Sequence, residues 1–194
     1  MKTDIILAGV GGQGILSIAA TLGAAALNEN LYLKQAETHG MSQRGGAVVS
    51  HLRISDSPIY SDLIPLSTAD LILSVEPLES LRYLAFLSEK GSLVTNTTMF
   101  KNIPNYPDLQ EDFDKLSSTF NIVKIDADKI AKEIGNPKAS NMVILGAASP
   151  FINIDNEIII KGIETIFKPK GDKIISLNIE AFEAGKKFAF KEMR

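Results

Sequence analysis

The chain has 194 residues, a formal net charge of -3 and an isoelectric point near 5.5. This length fits one domain over 1–194, and 45% hydrophobic against 22% charged residues is a balance able to bury a core. No basic stripe suggests nucleic acid, no apolar run approaches the length of a bilayer span, and the absence of cysteine excludes disulfides, a thiol nucleophile and cysteine-held iron–sulfur clusters within the chain.

The start of the chain passes from one lysine to Thr3 and Asp4, which interrupts any signal-peptide core, so a cytoplasmic protein is expected. Residues 5–8 are a continuous apolar run and predict a buried strand of the parallel kind. A glycine turn over 9–14 follows, then a helix over 15–27 with Ile15, Ile18, Leu22 and Ala26 on one side. A second strand over 31–36 completes an expected βαβ unit, and a loop over 37–46 leaves it. Residues 47–54 alternate, Val49, His51 and Arg53 against Val48, Ser50, Leu52 and Ile54, which predicts a half-buried strand. After a turn at Asp56-Ser57-Pro58, Ile59 and Tyr60 are expected to open a paired strand, making a β-hairpin.

Strands over 69–75, 92–96 and 122–125 then alternate with helices. Glu76 and Pro77 open a helix running to residue 87, closed by Glu89-Lys90-Gly91. A polar helix is expected over 108–120, and one over 127–134 capped by Asp126 and stopped by Gly135 and Pro137. Helices over 142–148 and 155–167 follow, then a linker over 168–171 and a terminal helix from about 177 to 193. The alternation predicts an α/β fold, a Rossmann-like doubly wound and mostly parallel sheet with flanking helices.

Gly9, Gly11 and Gly14 match G-x-G-x-x-G between a strand and a helix, with Gly12 and Gln13 between them. Such a turn lets a phosphate reach backbone amides at a helix start. Glu37 stands where a ribose-binding acid would stand in a nicotinamide or flavin enzyme. The same glycines also serve close packing or partner contact, and on the residues alone both readings stand. No Gly-Lys-Ser or Gly-Lys-Thr follows, so a P-loop is excluded.

The loop over 37–46 concentrates chemistry: Glu37, Thr38, His39, Gly40, Met41, Ser42, Gln43, Arg44, Gly45 and Gly46. Arg44 suits bidentate holding of a carboxylate or phosphate, or a local salt bridge. His39 suits a proton shuttle near neutral pH, or a hydrogen bond to backbone. Gln13 and Gln43 suit a polar interface, and Gly40, Gly45 and Gly46 suit backbone conformations closed to other residues. Asn141 reads as a helix cap and His51 as a structural residue.

Gly9-Val-Gly-Gly-Gln-Gly-Ile15 followed by Glu37-Thr-His-Gly-Met-Ser-Gln-Arg-Gly-Gly46 resembles the gamma-type subunit of 2-oxoacid:ferredoxin oxidoreductases over nearly the whole chain. The His39-Gly40-Met41 form points to the indolepyruvate branch and its small beta subunit. The resemblance implies one pyruvate/ketoisovalerate oxidoreductase-type domain with a Rossmann-like fold, inactive alone. In the complex it implies oxidative decarboxylation of 2-oxoacids, here arylpyruvates, to acyl-CoA with thiamine diphosphate, coenzyme A and ferredoxin. Thiamine diphosphate and iron–sulfur clusters would sit on a large alpha subunit, with no cofactor bound by this chain alone. His39 and Arg44 become candidate catalytic residues. Gly9, Gly11, Gly12, Gln13, Gly14, Glu37, Gly40, Ser42, Gln43, Gly45 and Gly46 become the candidate cofactor-facing set. An NAD(P)-binding oxidoreductase and a non-catalytic binding module are the alternatives. Phe100, Phe151, Phe182, Phe188 and Phe190 are expected to leave an apolar face for a partner or a second copy.

Overall fold

A computed structural model describes residues 1–39, 45–101 and 103–192. Six strands form one mixed sheet in the order β2-β3-β1-β4-β5-β6. They are β1 (Lys2–Val10), β2 (Tyr32–His39), β3 (Ala47–Ser55), β4 (Ala69–Ser74), β5 (Leu87–Asn96) and β6 (Asn121–Ile125). β1, β4, β5 and β6 pair in parallel, whereas β3 runs antiparallel to both β1 and β2. The mostly parallel α/β fold is therefore as expected.

The first connection is not a simple βαβ unit. β3 inserts between β1 and β2, so the hairpin is β2–β3 and not the one expected at Ile59 and Tyr60. That second segment is irregular, and Tyr60 is 93% exposed. β2 also runs on to His39, so Glu37 and Thr38 are strand residues rather than loop.

Helices cover both faces. α1 (Ile15–Asn28), α4 (Ala127–Glu133), α5 (Ser140–Ala148), α6 (Asn156–Phe167) and α7 (Asp172–Glu192) enclose the larger core with Leu7, Leu52, Leu71 and Val94 of the sheet. The face of α1 expected from its spacing, Ile15, Ile18, Leu22 and Ala26, is buried. The opposite face of the sheet packs Ile6, Ile72 and Leu93 under α2 (Pro77–Arg82), α3 (Gln110–Leu116) and the segment before β4.

α5 and α7 lie nearly backbone to backbone. A Cβ on Gly146 would sit 1.9 Å from the Phe182 carbonyl oxygen, and one on Gly185 1.9 Å from that of Val143. This contact places Phe182 at full burial, so it belongs to the core and not to an open face. Phe151 and Phe188 also pack against the core. Of the five phenylalanines expected at a surface, Phe100 and Phe190 are the exposed ones, at 42% and 50%.

Other boundaries moved. The helix expected over 77–87 is α2 plus a 3-10 turn at Leu84–Phe86, and β5 begins at Leu87. Residues 88–91 form a bulge: Ala69 pairs with Leu87 but Leu71 with Ser92. A Cβ on Gly91 would sit 2.5 Å from Leu87 Cδ1 and 2.9 Å from the Ala69 carbonyl oxygen, so this glycine marks the bulge rather than a helix end. The polar helix expected over 108–120 is the shorter α3, and α7 begins at Asp172, some five residues early. Among the described residues no helix is long and apolar enough to cross a membrane.

Candidate functional site

The parallel strands all end at one edge of the sheet. β1 leads into a helix on one face and β4 into a helix on the other, so the topological switch lies between them. The glycine turn sits at this point, directly against the base of the β2–β3 hairpin. Gly11 N donates to the Gly46 carbonyl at 2.8 Å, and Gly45 N to the Gly11 carbonyl at 3.4 Å. The two glycine-rich segments singled out in the sequence therefore form one joint at the carboxyl ends of β1 and β2.

Most groups of the turn are engaged inside the protein. Val10 N donates to Gln13 Oε1 at 2.9 Å, and Gln13 N to the Val10 carbonyl at 3.1 Å. Gln13 thus folds back on its own turn, and Gly11 N is spent on the hairpin. A Cβ on Gly9 would lie 2.3 Å from Val75 Cγ2, so Val75 packs directly on Gly9 at the switch point. Gly14 has φ 88°, in the left-handed region, and a Cβ there would meet Asn141 Nδ2 at 2.5 Å. Asn141 Nδ2 donates to the Gly14 carbonyl at 3.1 Å, and its Oδ1 accepts from Met142 N. Asn141 is the second residue of α5 and not its N-cap, which is Ala139, so its side chain both takes a first-turn amide of that helix and ties the helix start to the glycine turn. Gly12, with φ 99°, is exposed, and a Cβ there would meet nothing within 4 Å.

Glu37 is half-buried on β2, and Gln35 Nε2 donates to its Oε2 at 3.3 Å. Gly40, Ser42, Gln43 and Arg44, together with the side chain of His39, lie outside the described residues. Of the predicted set, the structure brings Gly9, Gly11, Gly12, Gln13, Gly14, Gly45 and Gly46 together. It places Glu37 on the same hairpin, two residues before the end of β2.

Sequence reasoning missed a group at the same edge. Glu76, 1% exposed, is the N-cap of α2, and its Oε2 accepts from Glu79 N at 2.9 Å. Its Oε1 accepts from Phe100 N at 3.2 Å and from the Tyr106 hydroxyl. Burial, this hydrogen bond and the carboxylate charge push the Tyr106 phenol well above its ordinary range, so it stays a donor. Phe100 in turn lies over the joint, its Cε1 4.0 Å from where a Gly45 Cβ would be. The signal available was Glu76 beside Pro77, an N-cap acceptor before a proline suited to N1. Nothing local pointed from it to Phe100 or Tyr106.

Away from this edge, His51 is structural as expected. Its Nδ1 accepts from Ile64 N at 3.1 Å, and its ring meets Phe86 edge-on at 5.2 Å.

The model of the family described as pyruvate ferredoxin/flavodoxin oxidoreductase matches residues 4–188. The chain is 37% identical to the indolepyruvate oxidoreductase subunit IorB of Pyrococcus horikoshii, across 98% of this chain and 96% of that protein. The fold matches the gamma subunit of a keto/oxoacid ferredoxin oxidoreductase from Geobacter sulfurreducens, with TM-score 0.73 and 23% identity over 97% of this chain and 99% of that one. It also matches 31% of a longer chain, with TM-score 0.79, 24% identity and 98% of this chain covered. That chain is the 2-oxoglutarate:ferredoxin oxidoreductase of Magnetococcus marinus, with 2-oxoglutarate, coenzyme A and succinyl-CoA bound. The chain therefore belongs to the pyruvate ferredoxin/flavodoxin oxidoreductase family.

Proposed function

We propose that this chain is the small subunit of a thiamine diphosphate-dependent indolepyruvate:ferredoxin oxidoreductase, cytoplasmic, acting on arylpyruvates to give aryl-acyl-CoA. The observation that carries the reading is the joint between the glycine turn and the hairpin base. It brings the two motifs behind the resemblance to the carboxyl edge of the sheet, where α/β proteins bind ligands. The indolepyruvate branch is taken from the name of the Pyrococcus relative.

Thiamine diphosphate and the iron–sulfur clusters belong to a larger partner subunit in this reading. The chain has no cysteine, and among the described residues no group of three His, Asp or Glu side chains suits a metal ion. What the chain supplies is a rim: the bonded glycine joint with Gly12 exposed on it, Arg44 as the cation for a carboxylate or phosphate, and His39 as a proton carrier. Ferredoxin accepts electrons from the complex, not from this chain. The Magnetococcus enzyme, in which the same fold is about a third of one chain, supports the view that here the contact is made between subunits.

The test is reconstitution with the large subunit, assayed with arylpyruvate, coenzyme A and a dye acceptor. Turnover is expected only with both chains present, and turnover by the small chain alone overturns the reading. Arg44→Ala in the complex is expected to cut activity or assembly more than tenfold, since losing a charged partner from a buried contact costs about 2–5 kcal/mol. Lys124→Ala, on β6, is the control and leaves both unchanged. Calorimetric titration with NAD and NADP is expected to show no binding, because Val75 packs directly on Gly9 and Gln13 takes an amide a dinucleotide would use. Micromolar saturation would instead favour an NAD(P)-linked enzyme.

A further inference from the structure

The sheet ends in two edge strands, β2 and β6, and they are built differently. β6 is five residues long. β2 is eight residues long and has no proline, and its register against β3 runs unbroken from Tyr32 to His39. Natural edges are blunted by short strands, prolines, bulges or lysines. β2 has one lysine, and Lys34 Nζ is turned to the Tyr60 carbonyl at 3.4 Å. Among the described residues no strand pairs with the outer side of β2, which leaves a row of backbone donors and acceptors open.

The helix beside this edge is unfinished on the same side. α1 carries no charged residue, and a helix that is apolar all round is normally buried all round. Yet Leu16 is 58% and Leu27 66% exposed, with Ala20 exposed between them. Their direction follows from their neighbours. Thr21 and Ala25 face α6, since a Cβ on Gly162 would lie 2.4 Å from the Thr21 carbonyl oxygen and 3.3 Å from Ala25 N. Gly23 faces β2, where its Cβ would lie 3.2 Å from Leu33 Cδ2. At 3.6 residues per turn, Leu16, Ala20 and Leu27 lie beyond Gly23, on the side away from α6. The uncovered apolar arc of α1 therefore looks outward over the β2 edge.

The strand is complementary to itself. When two copies pair antiparallel about a two-fold axis normal to the sheet, odd residues meet odd and even meet even. An axis at Lys34 or Glu37 sets like charges directly opposite. An axis at Gln35 sets Leu33 against Glu37. An axis at Ala36 sets Gln35 against Glu37 of the second copy and Lys34 against Thr38, twice over by symmetry. Gln35 Nε2 already donates to Glu37 Oε2 within the strand at 3.3 Å, so that pairing joins a donor to an acceptor. The helix gives the same axis independently. Gly23 stands over Leu33, and α1 runs opposite to β2. Three residues onward along β2, at about 3.3 Å each, correspond to about seven back along α1, at 1.5 Å each, which is Leu16. The exposed leucine is thus level with Ala36, where the axis brings it to its own counterpart.

We propose that β2 is the pairing edge of a homodimer, in which two copies of this chain join β2 to β2 antiparallel about an axis at Ala36 and close Leu16 of each α1 against the other. The sheet then runs on without a break, six strands from each copy. The pairing does not draw on the reading of the glycine joint.

Sedimentation velocity of the purified chain over a concentration series is expected to show a species of twice 21.0 kDa. Ala36→Lys sets two ammonium groups at the axis and is expected to weaken the dimer about tenfold or more, with the far-ultraviolet circular dichroism unchanged. Ala36→Glu acts likewise. An equimolar mixture of these two variants is expected to recover the dimer, because residue 36 meets itself only at this axis. Leu16→Lys, a change at an exposed side chain, weakens the dimer as well and carries the test if the Ala36 variants do not fold. Phe190→Ser, at an exposed position on α7, leaves it intact. A monomeric native chain overturns the proposal, as does a dimer unmoved by Ala36→Lys and Leu16→Lys. A mixture that stays monomeric overturns the axis. If the native chain is monomeric and Ala36→Lys prevents reconstitution with the large subunit, the edge serves that subunit and the homodimer falls.

Discussion

The two ends of the sheet bury charge in opposite ways. At the amino end, Asp4 on β1 is fully buried and faces cations. Arg53 reaches it with both arms of its fork, at 2.8 and 3.0 Å, and Lys2 at 2.7 Å. Arg53 also donates to the Ser61 and Leu63 carbonyls, at 3.1 and 3.0 Å, so the ion pair pins the segment before β4. At the carboxyl end, among the described residues, Glu76 is held by neutral donors: two amides and a phenol. The amino end is closed on itself and neutralised. The carboxyl end keeps a buried carboxylate beneath the segment that follows β5, in which Met99, Phe100 and Ile103 are exposed. One end reads as a clamp on the fold, the other as a mount for contacts made elsewhere.

The largest expected effect breaks the clamp. Arg53→Met leaves Asp4 buried with only the exposed Lys2 to answer it, and frees two carbonyls of the pinned segment. Removing one partner of a buried pair costs about 3–5 kcal/mol, which for a domain of this size lowers the melting temperature by roughly 10 °C. Thermal and urea unfolding check it. Activity of folded, assembled complex should not change, because Arg53 lies at the opposite end from the joint. A loss of activity with normal stability would erase the distinction between the ends.

A smaller effect sharpens the other side. Gly9→Ala forces a methyl against Val75 Cγ2, and overpacking of this kind costs about 1–3 kcal/mol. Gly9→Ala with Val75→Ala should recover part of that loss, read as a coupling in urea unfolding of the four chains. If Gly9→Ala leaves stability intact and impairs only the complex, the first glycine serves ligand approach after all, and the carboxyl end is more open than Val75 makes it.

What the sequence revealed follows the range of each interaction. The face of α1, the alternation of β3 and the Asp126 cap of α4, which accepts from Lys129 N at 3.0 Å, are local patterns, and all were legible. The insertion of β3 between β1 and β2 was not, because an apolar period says which face a strand buries and nothing about its neighbours. α7 was read late although Ile174 and Ile175 in its first turn pack against the larger core, because a short apolar pair just after a glycine suits a strand as well as a helix. Gly91 read as a helix stop because a bulge and a C-cap both ask for glycine. At the site, the glycines and Gln13 were legible as a cluster, but their internal hydrogen bonds were not. Glu76, Phe100 and Tyr106 are separated by up to thirty residues, and only the folded edge joins them.

The smallest expected effect tests whether the clamp extends to His51. Its Nδ1 holds Ile64 N one residue beyond the Leu63 carbonyl that Arg53 holds, so both side chains pin the same segment. Burial is the main cause that lowers the His51 pKa below its ordinary 6.5. The Arg53 charge adds to that, and Asp62 opposes it. A histidine kept neutral in the fold but ordinary when unfolded takes up protons preferentially in the unfolded chain. Its contribution is therefore complete above about pH 6.5 and is lost as pH falls from there through the lowered folded value. Glu79 works the other way and lower down: burial is the main cause that raises its pKa above 4.5, so protonation there favours the fold. The melting temperature should accordingly decline gently between about pH 7 and pH 5.5. His51→Gln, which keeps a side-chain acceptor for Ile64 N, should flatten that decline while lowering stability at neutral pH only slightly. If the variant keeps the native slope, the pH dependence comes from elsewhere, and the clamp at this end is the ion pair of Asp4 and Arg53 alone.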